Sequence, residues 1–171
     1  MEKNNTKVTF KGNPITLLGK ETKVGDQAVD FTVLNNKLEP VKLSDFDGKI
    51  KILSIFPSID TGVCSKQAHT FNKKAAGLSN DIVILAISND LPFALNRFCS
   101  AEGIDNLVTL SDHKELDFST KYGFLMEELR LLARGVVVID KDDKVQYVEY
   151  VSEGTNEPDY DSAIEAAQKL V

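Results

Sequence analysis

The chain has 171 residues, 42% of them hydrophobic and 27% charged, with a formal net charge of −6. This composition is typical of a globular protein. A chain of this length can bury a hydrophobic core without disulfides or a structural metal, so we expect one domain over residues 1–171. The negative charge argues against nucleic acid as a partner, and no apolar run approaches the roughly 20 residues that cross a bilayer. The first residues lack the apolar core of an export signal, so we expect a cytoplasmic protein.

The N-terminal third predicts short strands. Two short apolar runs within residues 8–19 flank Asn13-Pro14, which predicts a β-hairpin that turns at these two residues. A second strand pair is expected between residues 31 and 43. The β-branched apolar run over 50–56 then predicts a buried strand, which ends at Pro57 because proline cannot donate to a sheet ladder.

Cys64 lies at the start of a predicted helix. Apolar side chains recur at spacings of three and four residues from 64 to 78, which is one face of an α-helix. Thr61 suits the N-cap, and this places Cys64 at the third helical position. Unpaired amide groups and the positive end of the helix dipole lie there, and both favour a thiolate over a thiol. The pattern therefore indicates a reactive cysteine, while its place on the apolar face favours an inert core thiol to a similar degree.

Helix and strand patterns alternate through the rest of the chain. A second apolar run over 82–88 completes a β-α-β unit, which implies parallel central strands. A helix follows, with Asp90 as its predicted cap, Pro92 in its first turn and Gly103 at its end. The remaining predicted elements are a strand over 107–110, a short helix over 114–122, a hairpin over 135–140 and 145–150, and a last helix over 159–170. This order predicts an α/β fold of thioredoxin-like type, with a central mixed β-sheet flanked by helices and an extra N-terminal β-hairpin.

Cys99 is the second cysteine, 35 residues after Cys64, so the pair is not a Cys-x-x-Cys motif. His69 and His113 do not form the close paired spacing of a zinc site with the cysteines. A Cys-His acyl-transfer enzyme with Cys64 as nucleophile is one alternative, although His69 lies about 140° around the helix from Cys64. A structural protein with two buried, inert thiols is another.

The segment Pro57-Ser58-Ile59-Asp60-Thr61-Gly62-Val63-Cys64 resembles the peroxidatic-cysteine segment of the peroxiredoxins, whose pattern is Pro-x-x-x-Thr/Ser-x-x-Cys. This version is similar to the bacterial thiol peroxidase subfamily, the atypical two-cysteine peroxiredoxins. Residues 97–103, around Cys99, resemble the resolving-cysteine helix of that subfamily. Residues 126–134 resemble the segment that ends in its active-site arginine, here Arg134. Residues 157–160 resemble the start of its last helix.

The resemblance implies a thioredoxin-dependent peroxidase that reduces hydrogen peroxide and organic hydroperoxides, including alkyl and lipid forms. Cys64 would be the peroxidatic thiolate that becomes a sulfenic acid, and Cys99 would resolve it as an intramolecular disulfide. Arg134 would stabilise the thiolate and hydrogen-bond the peroxide, Thr61 would relay a hydrogen bond to the substrate, and Pro57 would shield the pocket from water. The resemblance further implies thioredoxin as reductant, a homodimer, and no metal, haem or flavin cofactor.

A thiol-based peroxide sensor or holdase is an alternative function for the same two cysteines. Such a protein would use the Cys64–Cys99 disulfide as a signal and would turn over poorly with thioredoxin. In either case the Cα atoms of bridged cysteines must lie within about 7 Å of each other. If the folded helices hold them further apart, the first turn around Cys64 or the Cys99 helix must unwind.

Overall fold

A seven-stranded mixed sheet forms the centre of the fold in the computed structural model, which describes all 171 residues. The strands are Val8–Phe10 (β1), Asn13–Ile15 (β2), Leu17–Leu18 (β3), Thr32–Leu34 (β4), Pro40–Lys42 (β5), Ile50–Ile55 (β6), Ile82–Ser88 (β7), Val108–Ser111 (β8), Leu125–Met126 (β9), Gly135–Ile139 (β10) and Val145–Tyr150 (β11). The helices are Gly62–Ala75 (α1), Pro92–Glu102 (α2), Asp117–Tyr122 (α3) and Tyr160–Gln168 (α4), with a 3-10 turn at Leu43–Phe46. None of these helices combines the length and the apolar character that a bilayer span requires.

The strand order in the central sheet is β11-β10-β6-β7-β8-β4-β5. β6 pairs in parallel with β7, and β7 with β8, while the other neighbours are antiparallel. All six residues of β6 are buried, as expected for a central strand that is covered on both faces. The predicted β-α-β unit and the central mixed sheet are therefore confirmed.

Two apolar cores lie on opposite faces of this sheet. On one face, residues of α1, α2 and α4 pack against alternate side chains of β6, Ile50 and Ile52. On the other face, Leu53 and Ile55 of the same strand pack with Phe118 of α3 and with the N-terminal strands. This alternation follows from the two-residue period of a strand. It brings α1, with Cys64, against the sheet on the same face as α2 and α4.

The N-terminal hairpin exists, but the prediction that it turns at Asn13-Pro14 is wrong. The turn lies at Lys11 and Gly12, whose φ angles are 51° and 80°, and Pro14 pairs with Thr9 inside β2. A two-residue hairpin turn of this twist needs positive φ at both central positions, and the proline ring excludes positive φ. Proline is tolerated in β2 because the strand belongs to a small two-stranded sheet. β3 and β9 form a second two-stranded sheet, which the sequence did not predict.

The ends of α1 and α2 test four local predictions. Thr61 occupies the N-cap of α1, and Pro92 opens α2, both as predicted. Gly103 ends α2 in the left-handed conformation, with φ 66°, which is also as predicted. The prediction that Asp90 caps α2 is wrong, because Leu91 holds that position without a side-chain hydrogen bond. The carboxylate of Asp90 turns instead towards the segment that precedes α1.

Candidate active site

Cys64 lies at the third position of α1 and is fully buried. Its Sγ accepts a hydrogen bond from the Ser58 amide at 3.5 Å and one from Nη2 of Arg134 at 3.3 Å. The amide, the guanidinium and the N-terminal end of α1 all present positive electrostatic potential to the sulfur. Each of these groups stabilises a thiolate relative to a thiol.

Arg134 lies directly before β10 and is only 2% exposed. Its Nε donates to the Gly154 carbonyl at 3.0 Å, its Nη1 to Oε1 of Gln67 at 2.8 Å, and its Nη2 to Cys64. No carboxylate forms an ion pair with this guanidinium. A buried cation without a counter-ion is costly, and the Cys64 sulfur is the one group in hydrogen-bond contact that can become an anion. The guanidinium is therefore placed to interact with negative charge on the Cys64 sulfur.

Gln67 is the residue of the site that the sequence analysis missed. It lies one helical turn after Cys64, is fully buried, and is held by hydrogen bonds from its Nε2 to Ser54 Oγ (2.9 Å) and to the Ile55 carbonyl (3.2 Å). Because both amide hydrogens are engaged on β6, its oxygen is directed at Arg134. The sequence feature that could have identified Gln67 is its polar amide side chain on the otherwise apolar face of α1.

Pro57 and Thr61 bracket the turn that leads into α1. Pro57 lies two residues after the end of β6 and is buried, whereas Thr61 is exposed. The Thr61 hydroxyl donates to the Ser58 carbonyl at 3.0 Å and makes no helix-capping hydrogen bond. The structure therefore brings Arg134 onto the Cys64 sulfur and places Pro57 and Thr61 on either side of Ser58, whose amide contacts that sulfur.

Cys99, the fifth predicted residue, lies apart from this group. It is half-buried on α2, its Sγ donates to Thr109 Oγ1 at 3.7 Å, and Thr109 donates to Asn36 Oδ1 at 3.0 Å. Burial raises the pKa of the Cys99 thiol, and the Thr109 hydroxyl opposes this shift. Both cysteines are free thiols.

The hydrogen-bond partners of the two sulfurs are on well-separated strands. Thr109 belongs to β8 and Arg134 directly precedes β10, and β6 and β7 lie between them. Three strand spacings of about 4.8 Å separate these strands by about 14 Å. Each sulfur therefore has its own set of hydrogen-bond partners, and a Cys64–Cys99 disulfide forms only when the sulfurs leave them.

Comparisons with known proteins show the family of this chain. The family model described as Redoxin matches residues 23–164. A thiol peroxidase from Oceanobacillus iheyensis is 57% identical over 162 residues, which cover 95% of this chain and 98% of that protein. A thiol peroxidase from Bacillus subtilis is 56% identical over 164 residues, covering 96% and 98%. The chain belongs to the Redoxin family. Within that family it is a peroxiredoxin of the bacterial thiol peroxidase subfamily, as its cysteine segments indicated.

A solved structure gives the same fold. The crystal structure of a peroxiredoxin-like protein from Aquifex aeolicus superposes with a TM-score of 0.92 at 36% identity and covers 100% of both chains. The predicted thioredoxin-like fold, with its central mixed sheet flanked by helices, is confirmed by this likeness and by the Redoxin match.

The histidines do not support acyl transfer. His69 directs Nε2 towards Glu102, at 3.4 Å, and its ring packs against Phe98 with centroids 5.8 Å apart. No histidine contacts the Cys64 sulfur, whose partners are an amide and a guanidinium. The Cys-His reading is therefore not favoured, and His69 lies on the helix surface as its position in the sequence indicated.

The residues that resemble the start of the subfamily's last helix lie near the guanidinium. The Tyr160 ring packs edge-on against Phe71 with centroids 5.2 Å apart, and its hydroxyl donates to Glu157 at 3.0 Å. Burial and this hydrogen bond raise the pKa of Tyr160, so it stays protonated. Glu157 pairs with Lys66 at 3.2 Å and interacts electrostatically with Arg134 without touching it.

Proposed function

We propose that this protein is a thiol peroxidase that reduces hydrogen peroxide and organic hydroperoxides with electrons from a thioredoxin-type dithiol protein. One observation carries the proposal: a buried arginine without a carboxylate partner lies 3.3 Å from a cysteine in the first turn of a helix. The curated relatives at 56–57% identity bear the name thiol peroxidase, which supports the same reaction.

In the first step, the Cys64 thiolate attacks one peroxide oxygen and the O–O bond breaks. Cys64 becomes a sulfenic acid, and the second oxygen takes up a proton and leaves as water or an alcohol. Arg134 uses one Nη2 hydrogen on the sulfur, and its other Nη2 hydrogen can donate to the oxygen that develops negative charge. Thr61, exposed at the mouth of the turn, orients the peroxide, and the buried Pro57 excludes water from the sulfur.

In the second step, Cys99 as a thiolate attacks the sulfenic sulfur of Cys64. An S–S bond forms, the S–O bond breaks, and hydroxide leaves as water after protonation. For this step, unwinding of α2 or of the first turn of α1 brings the two cysteines within the roughly 7 Å at Cα that a disulfide allows. A thioredoxin-type dithiol then reduces the disulfide and becomes a disulfide itself, which restores both thiols.

A homodimer of this chain forms part of the proposal. Two large apolar side chains at the start of α2, Leu91 and Phe93, are 53% and 65% exposed. The segment before α2 is joined to a neighbouring loop by a hydrogen bond from Asn89 Nδ2 to the Arg130 carbonyl at 2.9 Å, and Leu129 of that loop is also exposed. A second copy that packs on this apolar surface would cover it, and sedimentation of the full chain measures whether it does.

The test adds one equivalent of hydroperoxide to reduced protein and follows free thiols and intact mass. Wild type should lose both thiols as a disulfide, Cys99→Ser should accumulate a sulfenic acid, and Cys64→Ser should leave peroxide unconsumed. With thioredoxin present, wild type should turn over repeatedly while Cys99→Ser stops after one turnover. Normal turnover by Cys64→Ser would refute the mechanism. A wild type that forms the disulfide but is not reduced by thioredoxin would indicate the sensor alternative.

A further inference from the structure

The carboxylate of Asp90 joins the turn before α1 to the start of α2. Asp90 is half-buried between β7 and α2, and its carboxylate accepts three hydrogen bonds. Oδ1 accepts from Ser58 Oγ at 2.8 Å, and Oδ2 accepts from the Ile59 amide and from Ser88 Oγ, both at 2.7 Å. Hydrogen bonds to an ionised carboxylate are roughly twice as strong as neutral ones. We call this group of four residues the Asp90 clamp.

Ser58, which the clamp holds, organises the turn around the reactive sulfur. Its amide donates to Cys64 Sγ, and its carbonyl accepts from both the amide and the hydroxyl of Thr61, at 3.1 and 3.0 Å. Its hydroxyl oxygen also accepts from the Asp60 amide at 3.2 Å. Asp90 does not touch the sulfur, so any effect it has on Cys64 passes through Ser58.

The clamp also connects the two elements that carry the cysteines. The turn on one side of it leads into α1 and Cys64, and the segment on the other side leads into α2 and Cys99. These cysteines must come within about 7 Å at Cα to form a disulfide, and Cys99 must leave its hydrogen bond to Thr109 to reach Cys64. Movement of the turn or of the start of α2 breaks the hydrogen bonds of Asp90.

We propose that Asp90 is a positioning residue with opposite effects on the two chemical steps. It holds the Ser58 amide on the Cys64 sulfur for reaction with peroxide, and it resists the unwinding that lets Cys99 reach the sulfenic acid. This inference rests on the proposed function for its chemistry, while the clamp itself is a feature of the reduced protein.

The variant Asp90→Asn tests the clamp without a change of size. An asparagine amide nitrogen cannot accept from the Ile59 N–H, and the remaining oxygen carries no full charge. We expect sulfenic acid formation to slow about tenfold and disulfide formation to accelerate about tenfold, since a charge-assisted hydrogen bond is worth roughly one such factor. Ser58→Ala, which removes one of the three hydrogen bonds, should move both rates in the same directions by less.

Rapid mixing with peroxide, followed by acid quenching and intact-mass analysis, separates the two steps. The gain of one oxygen reports the sulfenic acid, at a rate proportional to peroxide, and the loss of two hydrogens reports the disulfide, at a rate independent of peroxide. Asp105→Asn is the matched control, because its carboxylate is exposed after the end of α2 and accepts no hydrogen bond. This control should match wild type in both rates.

Hydrogen exchange of the reduced protein tests the clamp without peroxide. In Asp90→Asn, amides of residues 58–64 should exchange at least several-fold faster than in wild type, while the central strand β6 is unchanged. Unchanged exchange in this segment, or two chemical rates that fail to move in opposite directions, would overturn the proposal. A wild type that forms neither sulfenic acid nor disulfide would refute the proposed function instead, and the exchange measurement would still decide whether the clamp exists.

Discussion

Gln67→Glu tests whether Arg134 is reserved for the Cys64 sulfur. The change is nearly isosteric, and it places a carboxylate where the Gln67 oxygen now lies 2.8 Å from Nη1 of Arg134. The Gln67 oxygen and the Cys64 sulfur contact two nitrogens of one guanidinium, at 2.8 and 3.3 Å, so the new charge would lie on the order of 6 Å from the sulfur. Two like charges about 6 Å apart interact by about 3 kcal/mol at an effective dielectric constant of about 20.

This repulsion should reduce kcat/KM for peroxide by roughly a hundredfold at neutral pH, because about 1.4 kcal/mol corresponds to a factor of ten. Stopped-flow peroxide consumption measures this rate, and urea unfolding checks that the variant is folded. Gln168→Glu, the same change at an exposed position at the end of α4, should react as wild type does. A Gln67→Glu rate within threefold of wild type at neutral pH would refute the argument that Arg134 is the counter-ion of Cys64.

Two further predictions concern groups outside the reactive turn. Asp143→Asn removes the charged partner of the fully buried Lys51 ammonium, 2.7 Å away, and should lower the free energy of unfolding by about 2–3 kcal/mol. Glu165→Gln breaks an exposed ion pair with Lys169 and should change the free energy of unfolding by less than about 0.5 kcal/mol. Urea titrations measure both values. Equal losses in the two variants would contradict this. Because burial raises the pKa of Cys99, iodoacetamide should modify this thiol in Cys64→Ser more slowly in the folded protein than in urea between about pH 8 and 10. The folded state binds the thiol proton more tightly, so the stability of Cys64→Ser should also fall as the pH rises through this range. Equal alkylation rates in the folded and unfolded protein would contradict the assigned burial.

Local patterns in the sequence predicted most of the elements that carry the site. The apolar periodicity after Cys64 predicted α1 because a helix buries every third or fourth side chain. The continuous apolar runs predicted β6 and β7 because parallel central strands are covered on both faces. Pro92 and Gly103 marked the ends of α2 because their backbone preferences act within one or two residues. The turn of the N-terminal hairpin was predicted at the wrong residues because Lys11 adopts a positive φ angle, which a lysine in the sequence does not indicate.

Local sequence patterns could not predict the side-chain contacts around the Cys64 sulfur. Arg134 is 70 residues from Cys64 in the chain, and from residue type alone it is as consistent with a surface ion pair. Only the likeness of its segment to the thiol peroxidases singled it out. Gln67 and Asp90 acquire their partners from β6 and from the turn before α1, so neither role can be inferred from neighbouring residues.

The sequence by itself determined where the helices and central strands lie and which cysteine starts a helix, because periodicity, proline and glycine act over a few residues. Tertiary structure alone decided that Arg134 contacts Cys64 without a carboxylate partner, that Gln67 orients Arg134, and that Cys99 on α2 contacts Thr109 of β8. These contacts join segments that are distant in the chain, and the order in which the strands pair across the sheet brings those segments together.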